Sequence, residues 1–398
     1  MNGHQPAFAS WLADTNEITR MFLGASQIPD LVNLAGGLPE SSTFPTADLA
    51  DLANRAIGEH GADALAYSPI EGNPALRDRI AARFGSERLK LDRSNVLIVA
   101  GGMQGLDLVG KVLLDSGDIV AAQTPAYLGA LDAWRPRQPR YRPFFPDQPR
   151  FDPRHAFSDA KFAYTVPNFS NPTGKLVGTD VRQAMVRAAL DLGTWVLEDD
   201  PYGSLYYDHS PLNRMIDING SVGADIYRGP VIYMGTFSKT ICPGLRIGWV
   251  IARPDMIEAL TIAKQGTDLC TSGLNQQIAV ELLDAGLVEK NLPRILSTYK
   301  ERRDVLCAAL EKYLSDHFEW EVPVGGMFVW AVARSTDMNT DDLLKFSLDH
   351  GVCVSPSSVF DPDGADRSGI RINFTYNAPD RLTEGVRRLA RAVEAMTG

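Results

Sequence analysis

Short runs of apolar, β-branched and aromatic residues recur along the middle of the chain, at 96–99, 119–122, 162–166, 195–197, 231–234 and 247–251. Each is too short and too continuously apolar for an amphipathic helix, and reads as a strand buried on both faces. Helical periodicity lies between several of them, as over 181–192, which is the βαβ pattern of a mostly parallel sheet covered by helices. After residue 251 the pattern changes to long amphipathic helices. One of these, 292–318, carries Arg302, Arg303, Glu311 and Lys312 on its polar side and is expected to bridge two domains. Strand-like pieces at 327–332, 352–356 and 370–375 then alternate with helices up to a last one at 381–396, predicting a smaller α+β domain. The expected class is α/β, divided into an N-terminal segment 1–45 that packs with the small domain, a large domain 46–288 and a small C-terminal domain 289–398. Pro and Arg crowd residues 135–153, which predicts an irregular connection.

Composition narrows the function. The 398 residues are 44% hydrophobic and 22% charged, ordinary for a folded globular protein. With 39 Lys and Arg against 49 Asp and Glu the formal charge is −10, the wrong sign for a binder of phosphate backbones, so no nucleic-acid partner is expected. Cys242, Cys270, Cys307 and Cys353 are far apart and form no CxxC pair, and the histidines show no ligand spacing; neither a disulfide framework nor a metal site is expected. No stretch reaches the roughly 18 apolar residues of a membrane span. The N-terminus meets Asp14, Glu17 and Arg20 before any long apolar run, so the expectation is a soluble cytoplasmic chain.

Three segments carry chemistry. Gly235-Thr236-Phe237-Ser238-Lys239, followed by Pro243-Gly244-Leu245-Arg246-Ile247-Gly248, lies between two expected strands. Open α/β sheets bind ligands beyond the carboxyl ends of their strands. An amine there forms a Schiff base once burial or neighbouring cations lower its pKa, and Ser238, Thr236 and Arg246 add donors suited to a phosphate. The bland alternative is a surface turn with a solvated lysine. Pro167-Asn168-Phe169-Ser170-Asn171-Pro172-Thr173-Gly174 is by itself an ordinary turn. Glu198-Asp199-Asp200-Pro201-Tyr202 again delivers polar side chains to a strand end, where adjacent carboxylates would also suit Mg²⁺. A further turn, Gly101-Gly102-Met103-Gln104-Gly105, opens a helix whose free N–H groups suit an anion, although it does not satisfy the GxGxxG of dinucleotide sites.

In this order the segments resemble the fold type I pyridoxal-phosphate aminotransferases, in the branch of 2-aminoadipate and kynurenine aminotransferases. The resemblance spans nearly the whole chain, from Glu17-Ile18-Thr19-Arg20 and Ala35-Gly36-Gly37-Leu38-Pro39, through Tyr67-Ser68-Pro69-Ile70-Glu71-Gly72, to Arg371-Ile372-Asn373-Phe374. It implies pyridoxal 5'-phosphate as cofactor, held covalently by Lys239. Asp199 is then the carboxylate beside the pyridine nitrogen, where it favours the protonated, electron-accepting ring. Asn171 and Tyr202 face the phenolic oxygen, and Tyr127 of Pro125-Ala126-Tyr127 stacks on the ring. Gly102, Met103, Thr236, Ser238 and Arg246 surround the phosphate, with Tyr67 reaching in from the neighbouring subunit of a homodimer. Arg371 grips the substrate α-carboxylate, accompanied by Asn171, Gly37 and Arg20. Lys239, Asp199 and Tyr127 form the expected catalytic set. Taken without the resemblance, Tyr127 reads as a core aromatic and Arg20 as a solvated helix residue.

Two departures stand out. Relatives usually carry a serine and a glutamine where this chain has Gly102 and Met103, which shifts phosphate anchoring onto the backbone, Ser238 and Arg246. They also often place an acidic residue before the Pro of the Tyr127 segment, where this chain has Gln123-Thr124. The implied reaction transfers the amino group of an α-amino acid to a 2-oxo acid in ping-pong fashion, with large apolar, aromatic or acidic donors and 2-oxoglutarate or pyruvate as acceptor. Alternatives are a lyase, decarboxylase or synthase on the same fold, a cofactor-retaining protein without turnover, and an aminotransferase-like transcription regulator. The early start of the resemblance leaves little room for the regulator's DNA-binding module.

Overall fold

The computed structural model describes residues 8–14, 18, 21, 24 and 28–398. In chain order its strands are β1 (Val32–Asn33), β2 (Val96–Val99), β3 (Ile119–Gln123), β4 (Arg140–Phe144), β5 (Phe162–Thr165), β6 (Trp195–Asp199) and β7 (Val231–Thr236). They continue with β8 (Gly248–Ile251), β9 (Phe318–Trp320), β10 (Phe328–Ala333), β11 (Val352–Cys353), β12 (Ser355–Pro356) and β13 (Gly369–Asn373). Seven of them form the larger sheet in the order β2-β8-β7-β6-β5-β3-β4. All its pairings are parallel except those of β8, which runs against both β2 and β7. Every residue of β2, β5 and β8 is buried. Alternation along β2 sends Leu97 and Val99 into one apolar core and Val96 and Ile98 into another, so both faces of the sheet are covered. Gly72 has φ +109°, and a Cβ there would lie 2.4 Å from the Ile98 side chain, so only glycine lets this turn close on the sheet.

The helix Thr179–Leu192 shows how local sequence sets an element. Met185, Val186 and Ala189 lie on its buried face, and Gly193 at φ 68° ends it in the left-handed conformation. The Pro- and Arg-rich stretch 135–153 departs from the expected irregular loop, because Arg140–Phe144 forms the edge strand β4, paired with β3 alone. An edge strand needs ladder bonds on one side only, which is where Pro143, the exposed Arg140 and the half-buried Arg142 are tolerated. The long helix also starts earlier and ends earlier than its pattern suggests, at Leu287–Leu314, with Pro293 inside it and Phe318 already in β9.

The smaller C-terminal domain carries the antiparallel sheet β12-β13-β10-β9. The N-terminal segment joins it as expected: β1 pairs in parallel with β11, Val32 opposite Val352 and Asn33 opposite Cys353. Beyond β1 the chain crosses toward the large sheet, held where Asn373 N–H donates to Leu34 O (2.7 Å) and Thr375 Oγ1 to Leu38 O (2.8 Å). The loops that follow β2, β5, β6 and β7 open toward this crossing, and they bring the chemistry-bearing segments together.

Candidate active site

One end of the site is an anion seat. After β2, Gly101 (φ 90°) turns the chain into the helix Gly102–Leu113, and a Cβ at Gly101 would lie 2.5 Å from the Arg246 guanidinium. Gly102 and Met103 head that helix, where N–H groups have no partner within the helix itself. Arg246 is held over the turn by donating to Ala100 O (3.1 Å) and Pro243 O (3.3 Å). Thr236 spends its hydroxyl inside its own turn, bonding Ile247 O (3.0 Å), Ser238 N (3.1 Å) and Ser238 Oγ (2.9 Å). Its part in the seat is to fix Ser238. Gln104 braces the seat from below by accepting from Ala100 N (2.8 Å) and donating to Asp268 (2.6 Å), which also receives the buried Lys264 ammonium (2.6 Å).

The other end is a carboxylate. Of the three consecutive acids after Leu197, alternation turns Glu198 and Asp200 to one side of the sheet and Asp199 to the other. Glu198 caps the helix Met215–Asn219 by accepting from Met215 N (2.7 Å) and Ile216 N (3.0 Å), and Asp200 accepts from Asn168 (2.8 Å) and Tyr233 (3.1 Å). Glu198 and Asp200 share a face but spend their oxygens on these donors, and Asp199 points away from both, so the three acids do not converge on one cation. Asp199 accepts one hydrogen bond, from the Tyr164 hydroxyl at 2.9 Å. Burial pushes its carboxyl up to about 7, against the pull of that bond, and the charge of Asp200 adds to the rise.

Between the two ends stands an amine. Lys239 closes the short 3₁₀ turn after β7 and donates to Gly37 O at 2.8 Å. Burial, with the nearby charges of Arg371 and Arg246, lowers its pKa to about 8. Arg371, at the middle of β13, is 5% exposed and lies between the rings of Phe328 (4.5 Å) and Phe360 (4.7 Å). Its donors reach Asn171 Oδ1 (2.6 Å), Ala35 O and Ser355 Oγ (3.3 Å), while Nε is buried without any partner. No carboxylate pairs with Arg371 or Lys239 among the described residues, so both cations are left to a ligand. Asn171 also donates to Tyr202 OH (3.4 Å), and burial raises that phenol's pKa. Tyr127, half-buried, donates to Met103 Sδ (3.6 Å) and leans on Gly129, where a Cβ would come within 2.5 Å of the ring.

The structure thus gathers Lys239, Asp199, Asn171, Tyr202, Tyr127, Gly102, Met103, Ser238, Arg246, Gly37 and Arg371 around one cleft, with Thr236 behind it. Tyr67 is 84% exposed on the surface of the single chain, and Arg20 lies outside the described residues. Sequence reading passed over Tyr164, Ser355 and the Ala35 carbonyl. Tyr164 comes into view only with the strand pairing, because β5 pairs Tyr164 with Leu197 and so places it diagonally across from Asp199 on the same face.

An anion seat, a buried carboxylate facing the cleft and a depressed-pKa lysine between them fit a phosphorylated heteroaromatic aldehyde. Arg371 beside them, with Nε unbonded and no carboxylate partner among the described residues, fits an amino-acid carboxylate. On a mostly parallel sheet with a smaller C-terminal domain, this is the arrangement of a fold type I pyridoxal-phosphate enzyme. The sequence family described as aminotransferase class I and II matches residues 29–389, and the chain belongs to it. Among relatives, aromatic-amino-acid aminotransferase 1 of Thermococcus litoralis is 34% identical over 391 residues, covering 94% of this chain and 91% of that protein. The kynurenine aminotransferase of Pyrococcus horikoshii, solved with PMP, superimposes with a TM-score of 0.89 at 32% identity, covering 98% of both chains. The α-aminoadipate aminotransferase LysN of Thermus thermophilus, solved with N-(5'-phosphopyridoxyl)-L-leucine, gives a TM-score of 0.87 at 32% identity and 98% coverage of both. The protein is a pyridoxal-phosphate-dependent aminotransferase of that branch, with an amino acid and a 2-oxo acid as its small-molecule substrates.

Proposed function

We propose that the protein transfers the amino group of large apolar, aromatic or acidic α-amino acids to 2-oxoglutarate or pyruvate in a ping-pong cycle. The observation that carries this reading is Arg371, a buried cation between two aromatic rings, with an unpartnered Nε and no carboxylate of its own. Bound in the cleft, pyridoxal 5'-phosphate supplies a ring into which charge from the substrate Cα spreads. The chain's residues do the rest. Gly102, Met103, Ser238 and Arg246 hold the phosphate, Asp199 keeps the ring nitrogen protonated, and Asn171 with Tyr202 binds the phenolic oxygen. Arg371, held by Asn171, orients the substrate carboxylate bidentately. Lys239 Nζ, its pKa lowered to about 8 by burial and nearby cations, takes the α-proton and later returns one.

The apolar surroundings favour the donor class: Phe328, Phe360 and the half-exposed Leu38 lie about the crossing segment, where the described cations are Arg371 and the Lys239 amine on Gly37 O. Acidic donors therefore depend on Arg20. The exposed Tyr67, beside Leu65 at 64% exposure, supports a homodimer in which Tyr67 serves the opposite site. No described helix is long and apolar enough to cross a membrane, in keeping with a cytoplasmic location. Product analysis of a donor panel, with and without each 2-oxo acid, tests the reaction. Transamination predicts no net 2-oxo product beyond one enzyme equivalent until an acceptor is added. Turnover without an acceptor would overturn it in favour of a lyase or decarboxylase.

A further inference from the structure

Asp199 lies 7% exposed at the end of β6, and among the described residues only one donor reaches it, the Tyr164 hydroxyl on Oδ2. No donor among the described residues reaches Oδ1. Tyr164 is itself 1% exposed, and its ring meets the edge of Trp134 at 5.1 Å between centroids, close to perpendicular at 85°. Trp134 is fully buried and anchored in turn, its Nε1 donating to Leu106 O at 2.8 Å. A Cβ at Gly110 would lie 2.4 Å from the indole, so the helix Gly102–Leu113 accepts Trp134 only where it carries glycine. The helix whose first turn forms the anion seat therefore also supports, through Trp134 and Tyr164, the carboxylate at the opposite end of the site.

We propose that Tyr164 is a positioning residue for the reaction: its hydroxyl holds Asp199 Oδ2 so that Oδ1 faces the cofactor's ring nitrogen, and keeps that buried carboxylate ionised. The inference rests on the reading of Asp199 as the ring-nitrogen partner. Its physical basis is that a carboxylate removed from water stays charged only where donors replace the lost hydration. Here the protein supplies one. With the hydroxyl gone, Asp199 would take up a proton or rotate, and in either case lose its grip on a protonated ring.

The test compares two ligands on full-length Tyr164→Phe and the unaltered protein: pyridoxal phosphate, and an analogue whose ring nitrogen is replaced by C–H. Tyr164→Phe is expected to weaken pyridoxal phosphate about tenfold to a hundredfold, the range for losing a hydrogen bond to a charged group. The analogue, with nothing to offer Asp199, is expected to change by less than about twofold. In turnover, kcat should fall with KM nearly constant, and the isotope effect with α-deuterated donor should grow. Trp134→Phe, which keeps the hydroxyl and loses part of its support, should give a smaller loss with the same preference for the natural cofactor, and it serves if Tyr164→Phe does not fold. Equal weakening of both ligands would reduce Tyr164 to a packing role and overturn the proposal, as would no weakening of either. If the unaltered protein failed to distinguish the two ligands, the reading of Asp199 itself would fail instead.

Discussion

Replacing Asp199 by Asn should stabilise the cofactor-free chain at the same time as it disables the enzyme. The side chain keeps its shape and can still accept from Tyr164, but the buried charge is removed. Burial raises the Asp199 pKa from 3.8 to about 7. A folded-state value above the unfolded one means that the folded chain holds the proton more tightly. The penalty for folding is therefore absent below about pH 4, grows as pH rises toward 7 and is complete above it. At about 1.4 kcal/mol per pH unit the full penalty is about 4 kcal/mol. With an unfolding entropy of about 2.1 cal/mol/K per residue, a chain of 398 residues that unfolds as one unit should gain about 5 °C in Tm. Thermal unfolding of both apo proteins at pH 5 and pH 8.5 measures this. The variant should melt about 5 °C higher at pH 8.5 and show a much smaller difference at pH 5. Equal or lower stability at pH 8.5 would refute the argument that desolvation dominates at this carboxylate.

Lys239 sets a second pH dependence: because its pKa is lowered to about 8, cofactor capture by the free amine should accelerate up to about pH 8 and then level off. A stopped-flow rate still climbing at pH 10 would contradict that value. Arg371→Lys keeps a charge but loses the planar fork, and should lower kcat/KM by about 2–3 kcal/mol, or 30- to 150-fold, mostly through KM for the amino acid. Gly102→Ser should tighten cofactor binding by about 1 kcal/mol, several-fold, because a Cβ there meets nothing within 4 Å and the hydroxyl is added beside the anion seat. Equilibrium dialysis against pyridoxal phosphate reads that change directly.

Much of this was written in the chain before it folds. Continuous apolar runs located six strands of the large sheet, because strands buried on both faces stay apolar at every position; their register came only with the pairing. Read from sequence alone, the adjacent carboxylates of Glu198-Asp199-Asp200 left Mg²⁺ as an alternative; the strand β6 divides these acids between two faces, and which face holds the cleft depends on the neighbours of β6. The strand β4 was hidden by its own composition, since Arg140, Arg142 and Pro143 suit an edge and read as a loop when pairing is unknown. Tyr164 was hidden for a different reason. Its partner lies 35 residues away and becomes a neighbour only through the parallel register of β5 and β6. The rings on either side of Arg371 come from the start of β10 and from the turn between β12 and β13, a long-range convergence that spacing does not encode. Tyr67 lies exposed on the single chain, and the proposed dimer that would give it a role is described by no local pattern.

The claim on which the account depends is that the Lys239 amine holds the cofactor. Borohydride reduction of the purified protein with pyridoxal phosphate, followed by proteolysis and mass mapping, tests it most directly. The account predicts one phosphopyridoxyl adduct, on the peptide containing Lys239, and none after Lys239→Ala. An adduct confined to another lysine, or none in the unaltered protein, would contradict it.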